Sequence, residues 1–304
     1  MIRLGTRASA LAMVQAEATA ARLRALGADV LIVPMRSEGD RLTDTPLASV
    51  GGKGLFVKDL EERLLRGAID VAVHSLKDLP ADVAKGLVLA AYPEREDPRD
   101  VLVTRDGRTL TTLGAGAVVG TSSPRRRAMV LSLRPDLVVE PIRGNVDTRL
   151  RKLGEGRVDA VILAAAGIRR LALELPHAEL LSTDVFVPAV GQGILGVETR
   201  EDDADTVPLV ERLNDRVARA CALAERAFLR RLGASCVTPM AAHATVRDGR
   251  LDVTGVVLSD DGRQVLRESR AGAPEAAAEI GQALADALLD RGAARITALH
   301  PVTL

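Results

Sequence analysis

Tryptophan is absent from this chain, tyrosine occurs once and phenylalanine three times in 304 residues. With almost no aromatic platforms, recognition of single-stranded or structured nucleic acid by base stacking is argued against. The cores have to be built from Ala, Val and Leu, and a 47% hydrophobic content supplies enough of them. Net charge is missing as well. The 41 basic residues balance 41 acidic ones, so the whole molecule gives no polyanion signal. Cysteine is limited to Cys221 and Cys236, with no C-x-x-C and no neighbouring histidine pair, which excludes a disulfide scaffold and gives no zinc-ligand pattern. No apolar run approaches the length of a membrane span, and the first residues carry no charged-then-apolar signal; a soluble cytoplasmic protein is the expectation.

The chain is longer than one usual domain, so two or three domains are expected. Short apolar runs alternate with helical patterns: MIRLGT, SALAMVQAEATAARLRAL, DVLIVPM, GLFVKDLEERLLRG and AIDVAVHS. This order predicts an α/β lobe with a largely parallel sheet. AVVGTSS, PRRRAMVLSL, LVVEPIRG, NVDTRLRKLGEG and RVDAVILA repeat it. Gly5-Thr6 and Gly120-Thr121 close equivalent strands, Ser9 and Ser123 are candidate helix caps, and Asp70 and Asp159 lead into equivalent third strands. PEREDPRD (93–100) and VPAVGQG (187–193) read as two crossings between the lobes, and ILGVET after the second can return to the first lobe, giving a cleft that opens and closes. The expected division is 1–94 with 194–214 for the first lobe, 95–193 for the second, and 215–304 for a small α+β domain. That last segment has a long helix, short strands with Asp-Gly turns, and a final amphipathic helix.

Charge is distributed unevenly. Residues 121–170 hold ten Arg and one Lys against five acidic residues, a local excess of six that the rest of the chain offsets. Ligands of open α/β sheets sit at the carboxyl ends of strands, where helix N-termini favour anions. Polar residues crowd there: Arg7 and Ser9; His74, Ser75, Lys77 and Asp78; Thr121, Ser122, Ser123, Arg125 and Arg126; Arg143, Gly144 and Arg149; Gly167 and Arg170. Guanidinium forks dispersed over many strand ends suit a ligand with several carboxylates. Asp78 is the exception, placed either to meet N–H or cationic groups of a ligand or to serve as a helix cap or Lys77 partner. GGKG (51–54) lacks P-loop spacing and sits in a Gly-containing loop that reads as a mobile lid ending at Phe56, though beside Leu55 this Phe reads locally as core. Cys236 stands in the small-residue loop GASCVTPM, where one thiol is either a compact hydrophobe or a reactive group. Cys221, in an Ala- and Leu-rich helical pattern, reads as a core thiol, and His74 as a structural hydrogen-bonder.

Taken together, HSLKDLP, EREDPRDVLV, GTSSPRRR, IRGNVDTRL, AAAGIRRL, VPAVGQGILGVETR and GASCVTP, in this order, resemble the porphobilinogen deaminase (hydroxymethylbilane synthase) family from the first strand through the cysteine loop. The resemblance implies two α/β lobes like those of periplasmic binding proteins, a two-crossing hinge and a small C-terminal α+β domain. It implies a transferase (EC 2.5.1.61) of tetrapyrrole and haem biosynthesis that joins four porphobilinogen molecules head to tail, releasing four ammonia and a linear hydroxymethylbilane. The primer is a dipyrromethane cofactor bound to Cys236 through a thioether. Each pyrrole carries an acetate and a propionate, which accounts for the dispersed arginines.

By the same resemblance Asp78 is the catalytic residue, stabilising positive charge as ammonia leaves. Lys77, Ser75, Thr121, Ser122, Ser123, Arg125 and Arg126 contact the cofactor. Arg7, Ser9, Gln15, Arg143, Arg149 and Arg170 contact the substrate, and Lys53 and Phe56 belong to the lid. No metal, nucleic acid or membrane is implied, and a monomer is expected. Two features depart from the family pattern: Ser49 stands where relatives often have a Lys, and Pro124 precedes the arginine pair. A solute-binding module of the same two-lobed form explains the arginines but leaves Cys236 and Asp78 without a role, and an inactive homologue would not keep both.

Overall fold

The computed structural model describes residues 1–35, 54–235 and 237–301, which form three sheets. In the first, β1 (Ile2–Arg7) lies parallel between β2 (Val30–Met35) and β3 (Val71–Ser75). β10 (Leu195–Arg200) runs antiparallel between β3 and β4 (Leu87–Ala91). The second sheet has the order β7 (Val138–Glu140), β6 (Val118–Gly120), β8 (Ala160–Ala164), β5 (Asp100–Thr104) and β9 (Ala178–Leu180). Here β5 is the strand reversed against both neighbours. The two orders are equivalent, and in each sheet the reversed strand directly follows one of the two crossings. Pattern reading picks out the parallel strands but not β4, β5 or β9. β9 has only three residues, two of them exposed, so its apolar content gives no periodic signal.

Helix α1 (Ala10–Ala25) follows β1, and α2 (Gly54–Leu65) precedes β3. α3 (Pro124–Leu133), α4 (Val146–Gly154) and α5 (Ala165–Arg170) follow β6, β7 and β8. Ser9 accepts the Ala12 N–H and Ser123 accepts the Arg126 N–H, each capping an orphan donor of the helix it precedes. The aspartates at the two equivalent third strands share one job. Asp70 accepts the backbone N–H of Arg3 at 2.9 Å, and Asp159 accepts that of Val118 at 2.8 Å, so each pins the start of its first strand to its third.

After α6 (Thr206–Glu211), helix α7 (Arg216–Leu232) is capped by Asp215, which accepts the Ala218 N–H, and stops at Gly233, whose φ of 58° is left-handed. The third sheet is an antiparallel meander of β11 (Met240–Arg247), β12 (Arg250–Leu258) and β13 (Val265–Gly272). Asp248 and Gly249 both take positive φ in its first hairpin, as the Asp-Gly signal predicts. α7 packs against α8 (Ala277–Asp290), and α9 (Ala293–Ile296) ends the described helices. Gly281 permits the close approach, since a Cβ there would stand 2.1 Å from the Ala224 carbonyl.

β12 joins separate cores by simple alternation. Leu251, Val253 and Val257 face the α7–α8 core, which also takes in Leu76, Leu79 and Tyr92; Val256 and Leu258 face the core of the second sheet with Val119, Met129 and Phe186. Among the described residues, no helix is long and apolar enough to cross a membrane.

Candidate active site

The carboxyl ends of β1 and β3 carry one group of site residues. Arg7 ends β1, half-buried, and Ser9 begins α1. Gln15, buried in α1, donates to the Ser75 hydroxyl at 3.0 Å and so joins α1 to the end of β3. There the chain makes a 3-10 turn, Leu76–Asp78, anchored by the Leu76 N–H on the Ile194 carbonyl. Buried Leu76 points inward and leaves Lys77 and Asp78 half-exposed.

The second group comes from the other sheet. Thr121 accepts the Ser123 N–H, and the Ser122 hydroxyl donates to the Ile142 carbonyl, shaping the turn that starts α3. Arg125 and Arg126 follow, both buried, both paired with Asp100 at the head of β5. Arg125 also donates to the Val187 carbonyl and lies 5.7 Å from the Phe186 ring centre, while Arg126 donates to the Ile162 carbonyl. Fully buried Asp100 is pushed up by desolvation, but its two arginines outweigh this and hold it well below the ordinary carboxylate range. Arg149 donates from Nε to the Gly144 carbonyl at 2.9 Å, and Lys152 donates to the Arg143 carbonyl. Gly144 has φ 108° and would set any Cβ against Thr148, so this turn needs glycine.

Charge links the two groups across the cleft. Burial pulls the Arg149 guanidinium down to about 10, Arg126 repels it further, and the Asp78 carboxylate acts in the opposite direction. Arg126 is lowered mainly by desolvation and also feels Asp78. The charge of Asp78, after the first sheet's β3, is therefore felt by Arg126 and Arg149 of the second. Arg170, lowered by burial, reaches the Gly193 carbonyl of the second crossing at 2.8 Å. Leu11 of α1 meets Gly167 of α5, where an added Cβ would stand 3.6 Å away, so the lobes touch beside the cleft.

The structure thus links Asp78 to Arg126 and Arg149 by charge, Lys77 and Arg170 to the second crossing at Gln192 and Gly193, and Gln15 to Ser75. Arg7 ends β1 and Arg143 follows β7, so both stand at the carboxyl ends of strands. Lys53 and Cys236 lie outside the described residues, and of Phe56 only its backbone place in α2 is described. Sequence reasoning missed Asp100, Gln192, Arg95 and Glu225. Asp100 precedes the apolar run VLV directly, and Gln192 lies between Gly191 and Gly193, both of positive φ; these were the available signals.

Arg125 and Arg126 share the one carboxylate of Asp100, and Arg149 and Arg170 donate to backbone carbonyls; positive charge so placed fits a ligand with several carboxylates. A dipyrromethane with four carboxylates meets that requirement. Fold and site together define a two-lobed α/β protein built around an anionic small molecule. Residues 2–208 match the model described as porphobilinogen deaminase, dipyromethane cofactor binding domain, and residues 219–290 match porphobilinogen deaminase, C-terminal domain. The chain belongs to the porphobilinogen deaminase family.

It is 51% identical to a porphobilinogen deaminase of Syntrophotalea carbinolica, over 99% of this chain and 96% of that protein. It is 47% identical to one of Syntrophobacter fumaroxidans, over 97% and 96%. Among solved structures it is similar to a periplasmic substrate-binding protein of a Coxiella burnetii ABC transporter, with 18% identity, TM-score 0.44, and coverage of 70% of this chain and 91% of the other. A Burkholderia cenocepacia nutrient-binding protein bound to methionine gives 14% identity, TM-score 0.43, and coverage of 69% and 90%.

Proposed function

We propose that this chain is a transferase (EC 2.5.1.61) that condenses four porphobilinogen molecules into linear hydroxymethylbilane, with release of four ammonia. The observation that carries this reading at the level of residues is one carboxylate, Asp78, whose charge reaches Arg126 and Arg149 of the other sheet. Cations across the cleft bind the acetate and propionate groups of each pyrrole. The carboxylate faces the pyrrole N–H and the positive charge that grows as the aminomethyl C–N bond breaks. Its value lies in that developing charge, because a fixed anion in a desolvated cleft needs no reorganisation when the charge appears.

Lys77, Arg125 and Arg126, with Ser75, Thr121, Ser122 and Ser123, form the cofactor side in this reading. Arg7, Ser9, Gln15, Arg143, Arg149 and Arg170 form the substrate side, and Lys53 and Phe56 the lid. The dipyrromethane, tethered at Cys236, supplies the pyrrole carbon to which substrate units are added. The protein is read as a cytoplasmic monomer divided at 94/95, 193/194 and 214/215.

The test is an intact mass of the purified protein with peptide mapping across Cys236, then incubation with porphobilinogen while ammonia is followed. Two linked pyrrole units on that peptide and further additions of one unit are expected. A bare Cys236 that stays bare after substrate, with no ammonia, defeats the reading.

A further inference from the structure

The second crossing holds a residue that no step above uses. Gln192 is 1% exposed, and its amide is filled on both sides. Nε2 donates to the Pro98 carbonyl at 2.7 Å and to Asp100 Oδ1 at 3.2 Å, while Oε1 accepts from Lys77 Nζ at 3.4 Å. The partners fix the amide's orientation, since a carbonyl and a carboxylate require the NH₂ and an ammonium requires the oxygen. The backbone around it is held as firmly. The Gln192 carbonyl accepts from Arg95, the Gly191 N–H donates to buried Glu225 of α7, and the Gly193 carbonyl accepts from Arg170.

We propose that Gln192 is a positioning residue: its amide stands between the Lys77 ammonium and the Asp100 carboxylate and keeps Lys77 at the cleft instead of in a buried ion pair. The geometry requires a neutral group that donates on one side and accepts on the other. Asp100 already serves Arg125 and Arg126, and Lys77 lies within range of its charge. Without the amide, opposite charges on either side of an apolar gap attract strongly in a low-dielectric setting. Lys77 would then turn inward, and the first lobe would lose a cation meant for ligand carboxylates. This inference rests on the proposed carboxylate-binding role of the cleft.

The test uses holoenzyme and two near-isosteric variants, Gln192→Met and Gln192→Glu. The amine of Lys77 is labelled with acetic anhydride and read by peptide mass against exposed Lys85 as internal reference. We expect the Lys77 to Lys85 ratio to fall about threefold or more in both variants, because an ammonium drawn into a buried pair is shielded and harder to deprotonate. An unchanged ratio in a folded variant overturns the proposal. Kinetics supply the second arm. Gln192→Met should raise KM for porphobilinogen about fivefold with a smaller change in kcat, and by less than about twofold when Lys77 is already Met, since residues acting through one another are not additive. Effects that simply multiply overturn it. If the unaltered protein releases no ammonia, the proposed function fails, and the labelling arm still decides whether Gln192 holds Lys77.

Discussion

Asp100 shows how much one side chain organises here. It is wholly buried, accepts from both Arg125 and Arg126, and takes a further bond from Gln192. Removing it would leave two buried guanidinium groups without their counter-charge. Asp100→Ala should cost about 3–5 kcal/mol in urea unfolding, the usual penalty for orphaning a buried charge. A loss below about 1 kcal/mol would mean that water or other groups compensate. Asp78 should behave in the opposite manner. Half-exposed on a short turn, it contributes little to stability, so Asp78→Asn should keep the melting temperature within a few degrees of the parent. Ammonia release should nevertheless fall by on the order of 100-fold or more, since the developing charge loses its anion. Substantial remaining turnover would remove Asp78 from the chemistry.

At the scale of elements, strand ends carry a measurable acid response. Asp70 joins Arg3 of β1 to Arg200 of β10, with a bidentate pair to Arg3 and a further bond at 3.2 Å to Arg200. Burial raises the Asp70 carboxyl, but these arginines outweigh it and hold the group at about 2, against an ordinary 3.8. The unfolded chain therefore takes up this proton first as the medium is acidified. The stabilisation is complete above about pH 4, declines below it, and is gone once pH passes below the folded value. Roughly 2 kcal/mol is involved at low salt. Asp70→Asn should flatten that part of the stability profile while neutral-pH stability drops; an unchanged acid slope would count against the pairing.

The same elements show what could be read from residues alone. β1 and β6 were legible because apolar runs close at Gly-Thr, β3 and β8 because Asp70 and Asp159 lead into apolar runs, and α7 because an Ala- and Leu-rich helical pattern runs up to Gly233. The cleft was legible because its cations stand at strand ends. Asp100, Glu225 and Gln192 were not, since nothing local separates a carboxylate or amide destined for burial from one on the surface. Their hydrogen-bond partners lie 19 to 130 positions away in the chain.

At the scale of the molecule, helix α7 and the C-terminal meander contact elements of both α/β lobes. Arg226 and Arg230 reach the Ala81 carbonyl and Asp82 on one side. On the other, the turn after β12 rests on α3, the helix that bears Arg125 and Arg126. Gly262 has φ 71° in that turn, and a Cβ there would stand 2.4 Å from the Ala128 carbonyl. Gly262→Ala should therefore lift the turn from α3 and lower stability by about 1–3 kcal/mol, through strain and lost packing together. A melting temperature equal to the parent's would mean that the turn is not seated there.

The reversed strands also set a timetable. β4 has β10 as its neighbour in the first sheet, yet more than one hundred positions separate them, and the whole second sheet lies between. During synthesis at about 5–20 residues per second, the ribosome needs on the order of 5–20 s to pass from β4 to β10. Through that interval β3 offers an unpaired edge and β4 has no place to dock. The sheet begun first is completed only after the second one, so a nascent chain that pauses between positions 100 and 190 is the form most exposed to aggregation.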